Sequence, residues 1–239
     1  GLVGSEMCIR DRAVARATKV IQALDNGTAD GINEEKTNQY KGEAYFMLGF
    51  AYGELATYYG DCVLNKGMTL EEAYEAVRTP KKEVMAYAYE CLDKAIELLP
   101  DSHTGQQRPT KGVALGIKAR FALYHEDWET AAQAAEQCMN SKVYKLHDNY
   151  GELFKADSSP ELMFYFKGDL TLKKGYGLFD NVHNYVIRKI GGACNRSPSL
   201  ELFCSYTCTD GLPINKSPLY NPKDPFANRD PRLAMTIQP

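Results

Sequence analysis

The 239-residue chain is 44% hydrophobic and 25% charged, with 28 Lys and Arg against 31 Asp and Glu. A net charge of -3 and a pI of about 5.9 set it apart from nucleic-acid binders, which carry a basic excess. The apolar content is enough to bury a core, which excludes a disordered chain, and no apolar run approaches the ~20 residues needed to span a bilayer. The length predicts one to two domains. Sixteen Tyr stand against nine Phe and one Trp. A tyrosine surplus supplies apolar rings with polar tips, which suits an interface or a carbohydrate-facing surface.

The chain opens without Met and closes at Gln238-Pro239 without a closing pattern. Both ends predict an internal fragment truncated at both ends. Residues 1–12, GLVGSEMCIRDR, read as a translated sequencing adapter and are set aside from the fold, as a tag would be. A helix is predicted over Ala13–Leu24, ended by the breaker Asp25-Asn26-Gly27. A long helix follows over Glu34–Tyr59, with Tyr40, Ala44, Met47, Leu48, Ala51, Leu55 and Tyr58 at steps of three and four. Cys62–Thr79 reads as a connection with a short helical patch at Leu70–Val77. Pro80 then opens a helix to Leu99, since Pro suits a first turn, and Pro100 stops it.

The next pair is Thr110–Tyr124 and Trp128–Met139, joined by His125-Glu126-Asp127. Small residues line both helices, which lets two helices approach toward the short end of the usual ~8–10 Å interaxial range. Ala95, Ala119, Ala131 and Ala135 are therefore expected in the core. The helix pairs resemble tetratricopeptide units of about 34 residues, with Ala88, Leu92, Ala95 and Pro100 matching one second helix. Asp127-Trp128-Glu129-Thr130-Ala131 matches the next turn, which gives Trp128 a structural place. Residues 13–142 thus read as a tetratricopeptide-like helical lobe.

Beyond it the character changes. Val143–Leu146 and Glu161–Phe166 read as short strands or extended runs, and Leu200–Tyr206 as a short helix. The tail Thr209–Pro239 holds six prolines and no helical period. Residues 143–239 read as an irregular, loop-rich and incomplete lobe. Such a stretch is usually functional or docked on a scaffold.

No CxxC pair occurs among the seven cysteines, so a zinc ribbon has no support. Cys91 and Cys138 fall on apolar helix faces. Cys204 and Cys208 lie one helical turn apart without a neighbouring His. No GxSxG, HExxH or GxxxxGK[ST] is present, and the four His are scattered. Acidic residues sit on polar faces or turns, where solvated charge is the default. The sequence therefore predicts no enzyme, no catalytic residue, no metal and no cofactor.

Several segments, taken in order, resemble the SusD/RagB family of outer-membrane nutrient-binding lipoproteins. They are Glu43-Ala44-Tyr45-Phe46 with Tyr59-Gly60-Asp61, Leu92-Asp93-Lys94-Ala95-Ile96, Lys111-Gly112-Val113-Ala114-Leu115, and Asp127-Trp128. Glu161-Leu162-Met163-Phe164, Pro198-Ser199-Leu200-Glu201-Leu202 and Asp210-Gly211-Leu212-Pro213-Ile214 follow. The run closes with Asp224-Pro225-Phe226-Ala227-Asn228-Arg229-Asp230-Pro231-Arg232-Leu233. The resemblance covers residues 13–239. It implies a mainly α fold in which tetratricopeptide-like hairpins pack with the irregular lobe. It also implies a cell-surface, outer-membrane protein, lipid-anchored, that captures glycan for a SusC-like TonB-dependent transporter and performs no chemistry on it. The alternatives are a tetratricopeptide scaffold for protein partners and a SusD-like binder of a nutrient other than a glycan.

A sugar surface needs flat aromatic faces and a few well-supported polar groups. The segment Lys173–Arg188 has that composition, and the region after the Glu161–Phe166 run contributes to the ligand site in the family it resembles. The expected ligand contacts are Tyr176, Phe179, His183, Asn184, Tyr185 and Arg188. Tyr58 and Tyr59, ahead of the Cys62–Thr79 connection, are further aromatic candidates. Asn228-Arg229-Asp230-Pro231-Arg232 reads as a structural clasp, since an Arg fork can hold loop carbonyls and carboxylates.

Overall fold

The computed structural model describes residues 2–27, 31–103, 108–154, 159–165 and 197–237. The chain divides into two compact units, residues 1–146 with 160–165, and residues 147–159 with 166–239. The first unit holds six helices among the described residues: α1 (Leu2–Asp25), α2 (Glu34–Tyr59), α3 (Leu70–Glu75), α4 (Lys81–Leu98), α5 (Lys111–Tyr124) and α6 (Trp128–Asn140). The second holds α7 (Tyr150–Leu153), α8 (Leu200–Ser205) and α9 (Arg232–Thr236). No strand occurs among the described residues, and the only bridges there are isolated pairs.

Helix boundaries follow local chemistry. Asn33 caps α2 by accepting from the Lys36 amide, and Gly60 ends it at φ 76°, a conformation that costs glycine little. Thr69 and Glu72 form a reciprocal capping box on α3. Pro80 precedes α4, and Thr110 caps α5 through the Val113 amide. Asp127 caps α6 by accepting from the Thr130 amide.

The first unit is built around α2, which packs on α1, α4 and α5. The expected stripe of Ala44, Leu48, Ala51 and Leu55 is buried, but so are Phe46, Gly49, Tyr52, Gly53 and Ala56 on other faces. A helix with neighbours on several sides is apolar nearly all round, so the single-stripe reading is too narrow. Met47 and Tyr58, assigned to that stripe, are instead exposed. Close approach is enforced by glycine. A Cβ on Gly53 would lie 2.3 Å from the Phe121 ring, and one on Gly49 would lie 2.6 Å from Leu92 Cγ. The helices therefore meet at distances that no other residue permits without movement.

Helix α1 continues back to Leu2 and takes in residues that the sequence reading set aside. Residues 5–12 hold no Gly or Pro, so nothing stops a helix there. Arg10 pairs with Glu54 of α2 at 3.0 Å, and its guanidinium lies 5.7 and 5.9 Å from the centres of the Tyr58 and Tyr59 rings. Helices α5 and α6 form the expected hairpin through residues 125–127. The alanine expectation needs correction. Ala95 is fully buried and Ala119 and Ala131 are half-buried, but Ala135 is exposed and Ala134 takes its place in the core. One residue is about 100° around a helix, so the contact stripe on α6 is rotated by one step. Trp128, given a structural place by the turn motif, is 61% exposed at the start of α6.

The two runs expected as short strands or extended segments, 143–146 and 161–166, carry no strand where they are described. Among the described residues they form no ladder with each other. The amide of Lys145 donates to the Pro160 carbonyl at 3.2 Å, and the side chains do the packing. Tyr144 fills the space above Gly112 and shares a 2.7 Å hydrogen bond with Thr110. Phe164 meets Phe46 edge to face at 5.7 Å. In the second unit the Pro-rich tail is mostly turns, as composition indicated. It still contains α9, and α7 precedes it where no helix was expected. Both span fewer than six residues, too short to show a period.

Candidate functional site

All six residues expected to contact ligand, Tyr176, Phe179, His183, Asn184, Tyr185 and Arg188, lie outside the described residues. The other sequence candidates can be placed, and they fall into two groups.

The first group is the connection that follows α2. Its ends are joined by paired backbone hydrogen bonds between Cys62 and Thr79, at 3.3 and 2.8 Å. Asp61 accepts from the Lys81 amide at 2.8 Å, which ties the same point to the start of α4. In the middle, the buried Tyr52 hydroxyl donates to the Asn65 carbonyl at 3.0 Å and accepts from the Asn65 amide at 2.8 Å. Asn65 Oδ1 accepts from the Gly67 and Met68 amides, both at 2.9 Å. Burial holds the Tyr52 phenol protonated, well above its ordinary range. A neutral tyrosine is what this donor–acceptor pair requires. Lys66 lies 4.3 Å from the centre of the Tyr87 ring, a cation–π contact. A hollow of about 440 Å³ lies beside Leu64, Lys66, Gly67, Met68 and Glu72. Tyr58 is 67% exposed and Tyr59 half-buried.

A second hollow of the same unit, about 630 Å³, lies at the start of α4 among Lys81, Lys82, Met85, Tyr89, His125 and Asp127. Thr57 Oγ1 donates to the Gly53 carbonyl at 2.7 Å, so His125 Nε2, at 3.1 Å, is the donor to that oxygen. Burial first, and the Lys81 charge second, lower the His125 imidazole below its ordinary range.

The second group is the clasp in the second unit. Arg229 is 4% exposed and spreads its guanidinium over three backbone carbonyls. Nη1 donates to Pro225 at 3.0 Å, and Nη2 donates to Phe203 at 2.7 Å and Tyr206 at 2.9 Å. Its faces lie 4.8 Å from the Phe203 ring centre and 5.6 Å from that of Tyr220. Asn228 adopts φ 57°, which asparagine tolerates better than most residues, and its Nδ2 donates to the Leu219 carbonyl at 3.1 Å. Asp210 accepts from Ser217 Oγ at 2.7 Å and from the Leu212 amide at 3.0 Å. These bonds lower its carboxyl below the ordinary range, with the Ser217 hydroxyl the main cause. The clasp reading holds: a planar fork fixes loop carbonyls from both sides.

Beside the clasp, Asp230 and Arg232 form a two-toothed ion pair, with Arg232 Nε at 3.0 and 3.1 Å from the two carboxylate oxygens. They border a notch of about 260 Å³ with Tyr150, Ser205, Tyr206 and Thr207. The sequence reading missed Tyr150 and Tyr206 as partners of this pair, because 80 and 24 residues separate them from Asp230. No group of three metal-ligating side chains occurs among the described residues, and Cys62, Cys91, Cys138, Cys204 and Cys208 are free thiols. No described helix is long and apolar enough to cross a membrane.

Residues 11–123 match the SusD-like family model described as starch-binding, associating with outer membrane. A curated relative, SusD-like protein P2 of Formosa agariphila, is 26% identical over 166 residues, 65% of this chain and 33% of its own length. Among solved structures, a SusD-like carbohydrate-binding protein from Bacteroides fragilis superposes with a TM-score of 0.73 at 24% identity, over 94% of this chain and 45% of that one. A laminarin-binding SusD-like protein gives a TM-score of 0.55 at 20% identity, over 62% of this chain and 33% of that one. At these identities the structural likeness speaks for the fold. The chain spans about a third of the curated relative and under half of either solved structure.

Proposed function

We propose that the chain is part of a SusD-like, cell-surface glycan-binding protein that captures oligosaccharide without cleaving it. The observation that carries this reading is the match of residues 11–123 to a starch-binding, outer-membrane family. The carbohydrate-binding and laminarin-binding names of the structural neighbours point the same way. The partner in this reading is a SusC-like TonB-dependent outer-membrane transporter, to which the protein hands its ligand. The location is the outer face of the outer membrane, held there by a lipid anchor.

Binding in this reading rests on Tyr176, Phe179, His183, Asn184, Tyr185 and Arg188. Aromatic rings take the C–H face of a sugar, while Asn, His and Arg serve its hydroxyls. Single contacts of this kind are modest, so affinity comes from several acting together on a supported surface. The non-catalytic part of this reading rests on the match to a family of binders. A glycosidase needs two carboxylates about 5–9.5 Å apart across a scissile bond, and no such pair was legible in the sequence.

The test is calorimetry or affinity electrophoresis of the intact protein against a glycan panel, repeated with Tyr176→Ala, Phe179→Ala and Tyr185→Ala. Binding that each substitution weakens by about threefold or more supports both function and site. Glycan binding with all three silent refutes the site and leaves the function standing. Binding of a peptide or another nutrient in place of any glycan refutes the function. Reducing-end release on incubation would refute the non-catalytic reading.

A further inference from the structure

The notch beside the clasp is built in a way that the clasp itself does not require. Arg229 already holds the Phe203, Tyr206 and Pro225 carbonyls, and the Asp230 amide donates to the Thr207 carbonyl at 2.9 Å. The Asp230–Arg232 pair adds little to this, because an ion pair open to solvent stabilises by only ~0–1 kcal/mol. Arg232 is 60% exposed. The pair is nevertheless fixed: Asp230 Oδ1 also accepts from the Arg232 amide at 2.9 Å, and both oxygens take the guanidinium edge. Tyr206 is held by its hydroxyl, which donates to Thr236 Oγ1 at 3.0 Å. Tyr150 meets the Phe154 ring edge to face, with centres 5.2 Å apart. The phenols of Tyr150 and Tyr206 both lie within electrostatic reach of the Arg232 guanidinium.

We propose that this notch is a second carbohydrate subsite, which takes one ring of a neutral sugar between tyrosine and the Asp230–Arg232 pair. It rests on the glycan-binding reading above. Three features of the notch select that ligand class. Its volume, about 260 Å³, lies just below the range of pockets for drug-sized ligands, which suits a single ring and not a chain. All six lining residues carry a hydroxyl or a charge, and two of them also bring an aromatic face. The charges cancel within the notch, so it offers no net attraction for an acid or an amine. A hydroxyl both donates and accepts, so two adjacent ones can serve a carboxylate oxygen and a guanidinium N–H at once. A vicinal diol on a ring with an apolar face meets each of these conditions.

The test uses methyl α-D-glucoside as probe, followed by saturation-transfer difference NMR on the intact protein. The triple variant Tyr176→Ala, Phe179→Ala, Tyr185→Ala is measured first, to remove the contribution of those rings. A residual glucoside signal is expected, and adding Tyr150→Ala or Arg232→Met should cut it by about threefold or more. Tyr150→Phe and Arg232→Lys serve as milder variants should either of those fail to fold; each should lower the signal in the same direction. No residual signal in the triple variant, or a residual signal indifferent to the notch substitutions, overturns the proposal. A notch response to glucuronate but not to the glucoside overturns its ligand class. Maltohexaose retention by affinity electrophoresis is read in parallel on the unaltered protein. Retention with a silent notch leaves the main function standing, and loss of all glycan binding removes both.

Discussion

The two units are held together by different means. In the helical unit, Phe121, Tyr52 and Leu92 are almost fully buried, and glycines at 49 and 53 bring helix axes close around them. In the loop-rich unit, the described residues that are buried include Leu233 and Cys208, but the organising side chain is a charged one, Arg229. Its charge is met by three carbonyl dipoles and two ring faces instead of a carboxylate. The lesson is that a helix bundle satisfies its own backbone and needs only apolar packing. A segment made of turns leaves carbonyls without partners, and something must be buried to serve them.

The largest effect expected is from Phe121→Ala. It empties the space between α2 and α5 and should lower the stability of the helical unit by about 3–5 kcal/mol, read from urea denaturation of the intact protein. A loss under about 1 kcal/mol would mean that the site collapses without cost, and that the packing account is wrong. The counterpart in the other unit is Arg229→Lys. Lysine carries the same charge but cannot span three carbonyls in a plane. Buried acceptors left without donors cost about 1–3 kcal/mol, and the loss should appear as faster amide exchange centred on residues 203–212 and 225–230. Unchanged exchange there would show that the carbonyls, not the fork, hold the turns.

Next in size is Gly53→Ala, which asks whether close approach is a requirement or a coincidence. The added methyl must displace the Phe121 ring, and overpacking of this kind costs about 1–3 kcal/mol. Thermal denaturation of Gly53→Ala alone, and with Phe121→Leu, separates the two cases. If the smaller ring-site residue restores part of the loss, the clash is the cause. If the losses simply add, it is not.

Much of the helical unit was legible because its boundaries are written in local chemistry. Pro80 and Pro100, Gly60, Asn33 and Thr110 stand at or next to helix ends, and these signals act over a few residues. What packs on a helix is not local. The period of α2 showed one stripe, yet α1, α4 and α5 bury several faces, so Phe46 and Tyr52 were missed. Ala134 and Ala135 differ by one step of a helix, which a count of small residues cannot resolve. In the other unit, residues 228–232 were identifiable as a clasp because an Arg fork can hold loop carbonyls while Pro225 and Pro231 restrict the backbone. The notch was not, because Tyr150, Tyr206 and Arg232 meet only through the chain's return over many residues. The six expected ligand contacts stand on composition and on the family resemblance alone.

The smallest effect sharpens the comparison through pH. The helical unit carries a half-buried imidazole, with His125 Nε2 donating to Thr57. Burial, and then Lys81, lower its pKa from the ordinary 6.5, so the folded state resists the proton that the unfolded chain accepts. Below about 6.5 the unfolded state therefore binds more protons, and stability falls as pH falls. The contribution is complete above the unfolded value and is lost between it and the lower folded one. Urea midpoints measured at about pH 7.5 and about pH 5.5 should show this decline. His125→Gln keeps an N–H for Thr57 and removes the titration, so its decline over the same interval should be shallower. Equal slopes for the two proteins would mean that His125 takes up its proton without cost, and that the charge of Lys81 is screened from it by solvent.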